Sequence, residues 1–100
     1  MEFNIVNNRT GNKQIEFVVG GNMQVFYQLA SRLQTILSIQ YNKKSDSFNT
    51  LSWNYQYHGV PFVLRYHWDT GAVLQLENKE PSAEEIDTLD DIISLLKTFS

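Results

Sequence analysis

Apolar residues recur along this chain with two different periods, and the switches between them mark out its elements. Residues 2–6, EFNIV, and 13–19, KQIEFVV, are short β-branched and aromatic runs; between them NNRTGN has turn composition, with Gly11 free to take positive φ. A β-hairpin is predicted, with Ile15, Phe17 and Val19 on one face of its second strand and Gln14, Glu16 and Val18 on the other. Gly20-Gly21-Asn22 then breaks the strand, and Asn22 is a suitable N-cap. Met23, Phe26, Leu29, Ala30, Leu33, Ile36 and Leu37 follow at three-and-four spacing, which predicts an amphipathic helix to about residue 39. Its opposite face carries Gln24, Gln28, Ser31, Thr35 and Ser38, without a formal charge among them. Residues 41–47, YNKKSDS, predict a polar loop.

Period two returns in the aromatic stretch at 53–71, WNYQYHGVPFVLRYHWDTG. With His58-Gly59 as a two-residue hairpin turn, Tyr57 faces Val60, Tyr55 faces Phe62, Trp53 faces Leu64 and Leu51 faces Tyr66. The other face pairs Gln56 with Pro61, Asn54 with Val63, Ser52 with Arg65, and Thr50 with His67. With Asp69-Thr70-Gly71 as a three-residue loop, Trp68 faces Ala72, Tyr66 faces Leu74 and Leu64 faces Leu76. One face stays apolar across all three strands. A one-residue slip would turn that whole set to solvent, so the agreement argues for the register. The aromatics therefore read as the core side of a three-stranded meander.

The chain closes with a second amphipathic helix. Ser82 and Glu85 form a capping box after Pro81, and Glu84 and Glu85 suit the positive end of the helix dipole. Ile86, Leu89, Ile92, Ile93, Leu96 and Phe99 make its apolar stripe, and Lys97 lies in the last turn. The order is β-β-α-β-β-β-α. Two amphipathic helices and one sheet with a single apolar face predict a two-layer α+β domain over residues 1–100, its antiparallel five-stranded sheet packed against both helices. Strand order stays open, and either hairpin can supply an edge able to accept an added strand.

Composition narrows the function. One hundred residues suffice for one core. The absence of cysteine excludes disulfides and thiolate chemistry and suits a reducing cytoplasm. No basic segment followed by an apolar run marks the N-terminus as a signal peptide, and no stretch approaches the length of a membrane span. Net charge is −3, and the only adjacent basic pair is Lys43-Lys44, so no direct nucleic-acid binding is expected. Asn and Gln together number 16 against 19 charged residues, which predicts a surface rich in adaptable amides.

Catalytic chemistry is sparse. His67 and Asp69 are two apart and His58 lies in another turn, too few converging ligands for a metal. There is no G-x-S-x-G; Thr50 opposite His67 resembles half of a triad with no third group. The Gly20-Gly21-Asn22 junction has the shape of an anion site but lacks the lysine of a phosphate-binding loop. No cofactor is expected.

Two surfaces are candidates for binding. The polar face of the meander gathers Asn54, Gln56, Val63, Arg65, His67, Val73, Gln75 and Glu77, with Arg65 central. On the last helix Glu84, Asp87 and Asp91 project to one side, in line with Glu80 before it and with Asp90 off the row; Leu95 sits beside them, outside the main apolar stripe. Carboxylate rows of this kind steer basic partners.

In size, acidity, lack of cysteine and organisation, the whole chain resembles the small bacterial immunity proteins, those of contact-dependent growth inhibition systems being the nearest. The resemblance implies a cytoplasmic protein that binds and neutralises one cognate toxin domain, a basic protein such as a nuclease. It implies that Glu84, Asp87, Asp91 and Leu95, or the sheet patch around Arg65 and His67, meet the toxin, with the chain a monomer or weak dimer. Two other readings fit: a small acidic secretion chaperone or adaptor that dimerises through the uncharged face of its first helix, and a small enzyme or ligand-binding domain using Arg65, His67 and Glu77.

Overall fold

The computed structural model describes residues 2–18 and 23–99; Val19 and the Gly20-Gly21-Asn22 junction, with the N-cap and anion-site readings attached to it, lie outside the described residues. The elements are β1 (Phe3–Asn7), β2 (Lys13–Phe17), α1 (Met23–Leu37), β3 (Tyr41–Asp46), β4 (Thr50–Tyr57), β5 (Val60–His67), β6 (Gly71–Leu76) and α2 (Ala83–Thr98). The class is α+β, with two helices and a sheet antiparallel at every pairing. Among the described residues the sheet has six strands rather than five, in the order β1-β2-β6-β5-β4-β3. The N-terminal hairpin thus joins the meander through β2 and β6, where Ile15 pairs with Leu74 and Phe17 with Ala72.

The added strand is β3, which sequence reading takes as a loop. YNKKSD alternates no apolar face, and all of it but Tyr41 is exposed. It pairs with β4 because its first and last residues anchor it. The Tyr41 hydroxyl donates to the Ala30 carbonyl at 2.8 Å, and the Tyr41 ring meets that of Trp53 edge-on. The indole Nε1 of Trp53 donates to Asp46 Oδ1 at 2.9 Å, while Lys44 Nζ lies 4.2 Å from the Trp53 ring centre. The register shifts between Tyr41 and Lys43, an irregularity which, with the two lysines, suits an exposed edge.

The β4–β5 register is the one the sequence predicts, from Thr50 opposite His67 to Tyr57 opposite Val60. His58 and Gly59 both take positive φ, 53° and 78°, as a type I′ turn demands. The β5–β6 register differs by two residues. Tyr66 faces Ala72, Leu64 faces Leu74 and Phe62 faces Leu76, while His67 closes against Gly71. A two-residue shift conserves the face, so the apolar side stays continuous. It moves Trp68 out of the ladder into the turn, where it is exposed and its N–H donates to Asn49 O.

Both helices pack on that apolar side. Ile15, Leu51, Tyr55, Phe62, Leu64, Tyr66 and Leu74 are sealed beneath Phe26, Leu33 and Leu37 of α1 and Leu89, Ile92 and Leu96 of α2. Each such side chain contributes about 1.5–3 kcal/mol through burial. Helix α1 has no acidic residue in its first turn and no basic one in its last, so burial rather than dipole compensation holds it. It ends at Leu37, with Ser38 at φ 53° and the Ile39 N–H bonded to Gln34 O, a Schellman closure made without glycine. The capping box of α2 is present: Glu85 N donates to Ser82 Oγ at 3.2 Å and Ser82 N to Glu85 Oε1 at 3.0 Å. Ile86 and Phe99, expected in the α2 stripe, lie at its ends and are exposed.

The core tyrosines differ in how their hydroxyls are satisfied. Tyr41 has its carbonyl partner, whereas the buried Tyr55 and Tyr66 hydroxyls have no partner among the described residues. Tyr41→Phe is therefore expected to cost about 1 kcal/mol, and Tyr66→Phe to cost nothing or to stabilise; chemical denaturation of both variants decides this. Burial also raises the Tyr41 hydroxyl far above its ordinary range, and does the same for Tyr55 with help from neighbouring Tyr41 and Tyr57. In the unfolded chain both ionise near pH ~10, so above that the unfolded state binds fewer protons than the native one. Stability should be level between neutrality and that pH. Above it, stability should fall by up to about 1.4 kcal/mol per pH unit for each tyrosine, a slope that urea midpoints measured across alkaline pH read directly and that Tyr41→Phe reduces.

Candidate functional site

Because both helices cover one face, the other face of the sheet is open, and the side chains on it follow from strand parity. One row runs Asn54–Val63–Gln75 across β4, β5 and β6; the next runs Ser52–Arg65–Val73 and continues to Glu16 on β2. Sequence reading assembles most of this face correctly, and the structure adds a shape to it. The open face sinks into a depression of about 630 Å³. Val63, outside the helix-covered core cluster, is nonetheless only 3% exposed, flanked in its row by the two amides. Arg65, in the next row, is exposed.

The far wall of the depression is the β1–β2 turn, which no pattern in the sequence links to the meander. Asn8 organises it. Its Oδ1 accepts from Thr10 N at 3.0 Å and Asn12 N at 3.1 Å, and its carbonyl from Gly11 N. Asn12 Nδ2 then donates to the Lys79 carbonyl at 2.8 Å, tying the turn to the segment between β6 and α2. That segment is held in its turn: Glu77 N donates to Pro61 O, and Glu80 N to Asn78 Oδ1. A wall with these bonds already made loses little freedom when it meets a ligand. Arg9, Lys13, Arg65 and Lys79 line the depression, half of the chain's eight Lys and Arg, against Glu77 alone of its eleven carboxylates. The Lys13 ammonium is taken, 2.8 Å from Asp90 Oδ1 on α2.

His67 is not part of this depression. It shares the face of Arg65, but Asp69 N donates to its Nδ1 at 3.1 Å and its ring stacks beside Trp68. Thr50 is its register partner, yet the Thr50 hydroxyl donates to Asn49 Oδ1 and not to the imidazole. Arg65 and Glu77 line the depression and His67 does not, so the three do not converge. No cluster of three or more His, Cys, Asp or Glu suited to a metal occurs among the described residues.

The α2 row lies on the helical layer, opposite the depression. Glu84, Asp87 and Asp91 are exposed there, as is Glu80 before the helix, and none of them makes an ion pair with a described residue. Leu95 corrects its expected placement: it is half-buried and packs against the core at the flank of the row. The outer face of α1, expected to be uncharged, includes exposed Arg32 beside Tyr27 and Phe99 in an open groove. No described helix is long and apolar enough to cross a membrane. No family model, curated protein or solved structure matches the chain.

The Lys13–Asp90 pair is the one link by ion pairing from the hairpin to α2 among the described residues, and both side chains are nearly half exposed. Lys13→Ala is expected to cost no more than about 1 kcal/mol in a urea titration. A larger loss would mean the pair holds the hairpin against the helix.

Proposed function

We propose that this chain is a non-catalytic protein-binding module, a stoichiometric inhibitor of the toxin-immunity kind, whose partner is a basic toxin domain. The observation that carries this reading is the row of Glu84, Asp87 and Asp91: three exposed carboxylates, free of ion pairs with described residues, on one side of a helix. That helix is capped at its start and anchored by Leu89, Ile92, Ile93 and Leu96. Its carboxylates therefore stand on a rigid support. Unpaired carboxylates on such a support raise the association rate with a cationic surface, because opposing potentials orient the encounter before contact. Leu95, half-buried at the flank, offers an apolar contact beside the row without having to leave the core.

Affinity capture with the intact chain as bait, followed by native mass spectrometry, identifies the partner and its stoichiometry. Against that partner, the variant Glu84→Lys/Asp87→Lys/Asp91→Lys is expected to associate at least about tenfold more slowly at low salt, with a smaller effect near physiological ionic strength. An unchanged association rate and affinity would rule out this face as the interface. Turnover of a substrate by the isolated chain, abolished by His67→Ala with the fold intact, would rule out the non-catalytic reading altogether.

A further inference from the structure

The depression on the open sheet face carries the opposite balance of charge to the α2 row, with Glu77 the one carboxylate in its lining. Three cations line it without a carboxylate partner among the described residues: Arg9 on the hairpin turn, Arg65 on β5 and Lys79 before α2. They come from three separate parts of the chain, brought together by β2 pairing with β6 and by the Asn12–Lys79 bond. Between them lie Asn54 and Gln75, whose amides both donate and accept, around a floor at Val63 that is sealed from water.

We infer that this depression is a second binding site, which takes an acidic peptide segment of a protein partner. Three features select that occupant. Carboxylates spaced along a chain match cations spaced around a rim, and the guanidinium of Arg65 can hold one of them bidentately. Backbone amides need both donors and acceptors, which Asn54 and Gln75 supply. The site also lacks a buried charged group among the described residues, so it suits an extended segment better than one enclosed small anion. Nucleic acid fits less well. The lining offers no aromatic side chain on which a base could stack. The inference stands apart from the α2 reading, since the two surfaces lie on opposite layers and each can fail alone.

The test uses the intact ¹⁵N-labelled chain titrated at low salt with a deca-glutamate peptide, and separately with inorganic phosphate and a short oligothymidylate. The expected result is saturable shifts of the Val63 amide, the Asn54 and Gln75 side-chain amides and the Arg65 guanidinium on adding the peptide. Arg65→Glu should weaken binding at least about tenfold while keeping native dispersion, because Arg65 is exposed. Arg9→Glu/Lys79→Glu, on surface turns, should weaken it independently. The Glu84→Lys/Asp87→Lys/Asp91→Lys variant should bind the peptide at least as well as the native chain.

Several results would overturn the inference. One is the absence of saturable shifts; another is shifts confined to Lys43 and Lys44 on β3; a third is undiminished binding by Arg65→Glu. Equal shifts with phosphate alone would reduce the depression to a simple anion site. Tighter binding of the oligothymidylate would make it a nucleic-acid site. Movement of the same resonances on diluting the protein alone, abolished by the α2 variant, would make a second copy the occupant.

Discussion

The alternation of side chains along the strands places nearly every large apolar group of the sheet on one face, and the molecule is organised around that asymmetry. Ile15, Leu51, Tyr55, Phe62, Leu64, Tyr66 and Leu74 point to the same side and are covered by both helices. A sheet facing its core on one side only must leave the other to water, and antiparallel sheets accommodate this readily. The open face and its depression therefore exist because the helices have no apolar surface to cover there. Val63 is the exception: an apolar residue on the polar side, buried outside the helix-covered cluster, with an amide as its register partner on either side.

The same asymmetry separates charge. The α2 carboxylates stand on the helical layer, and three unpaired cations surround the depression on the open face. A net charge of −3 hides this division, since the sum of both signs says nothing about where each is displayed. One flat partner cannot meet both surfaces at once. A partner of either sign has a place to bind, and the two can be disrupted independently.

Edges are where the fold departs most from its pattern. β3 occupies one end of the sheet and β1 the other. β3 holds its place through Tyr41 under α1 and the grip of Lys44 and Asp46 on Trp53, contacts made by isolated residues and not by a periodic stripe. Such a strand is invisible to periodicity because neither of its faces is buried, and its backbone pairing is supplied by β4. Trp68 shows the converse: its apolar character suggests a ladder position, and the turn places it in solvent.

The elements whose signals are local, or repeat along one strand, are legible in the amino-acid pattern. Those are the hairpin turn at His58-Gly59, the complete β4–β5 register, the α2 capping box and the face on which the core lies. Each rests on neighbours a few residues apart or on a period that one slip would destroy. Tertiary structure alone decided the β2–β6 pairing, the sixth strand, the two-residue shift of the β5–β6 register and the partial burial of Leu95. It also decided the gathering of Arg9, Arg65 and Lys79 around Val63, residues distant in the chain whose approach depends on which strands become neighbours. Pairing between distant strands is chosen by the packing of the complete sheet against its helices, and no local pattern encodes that choice.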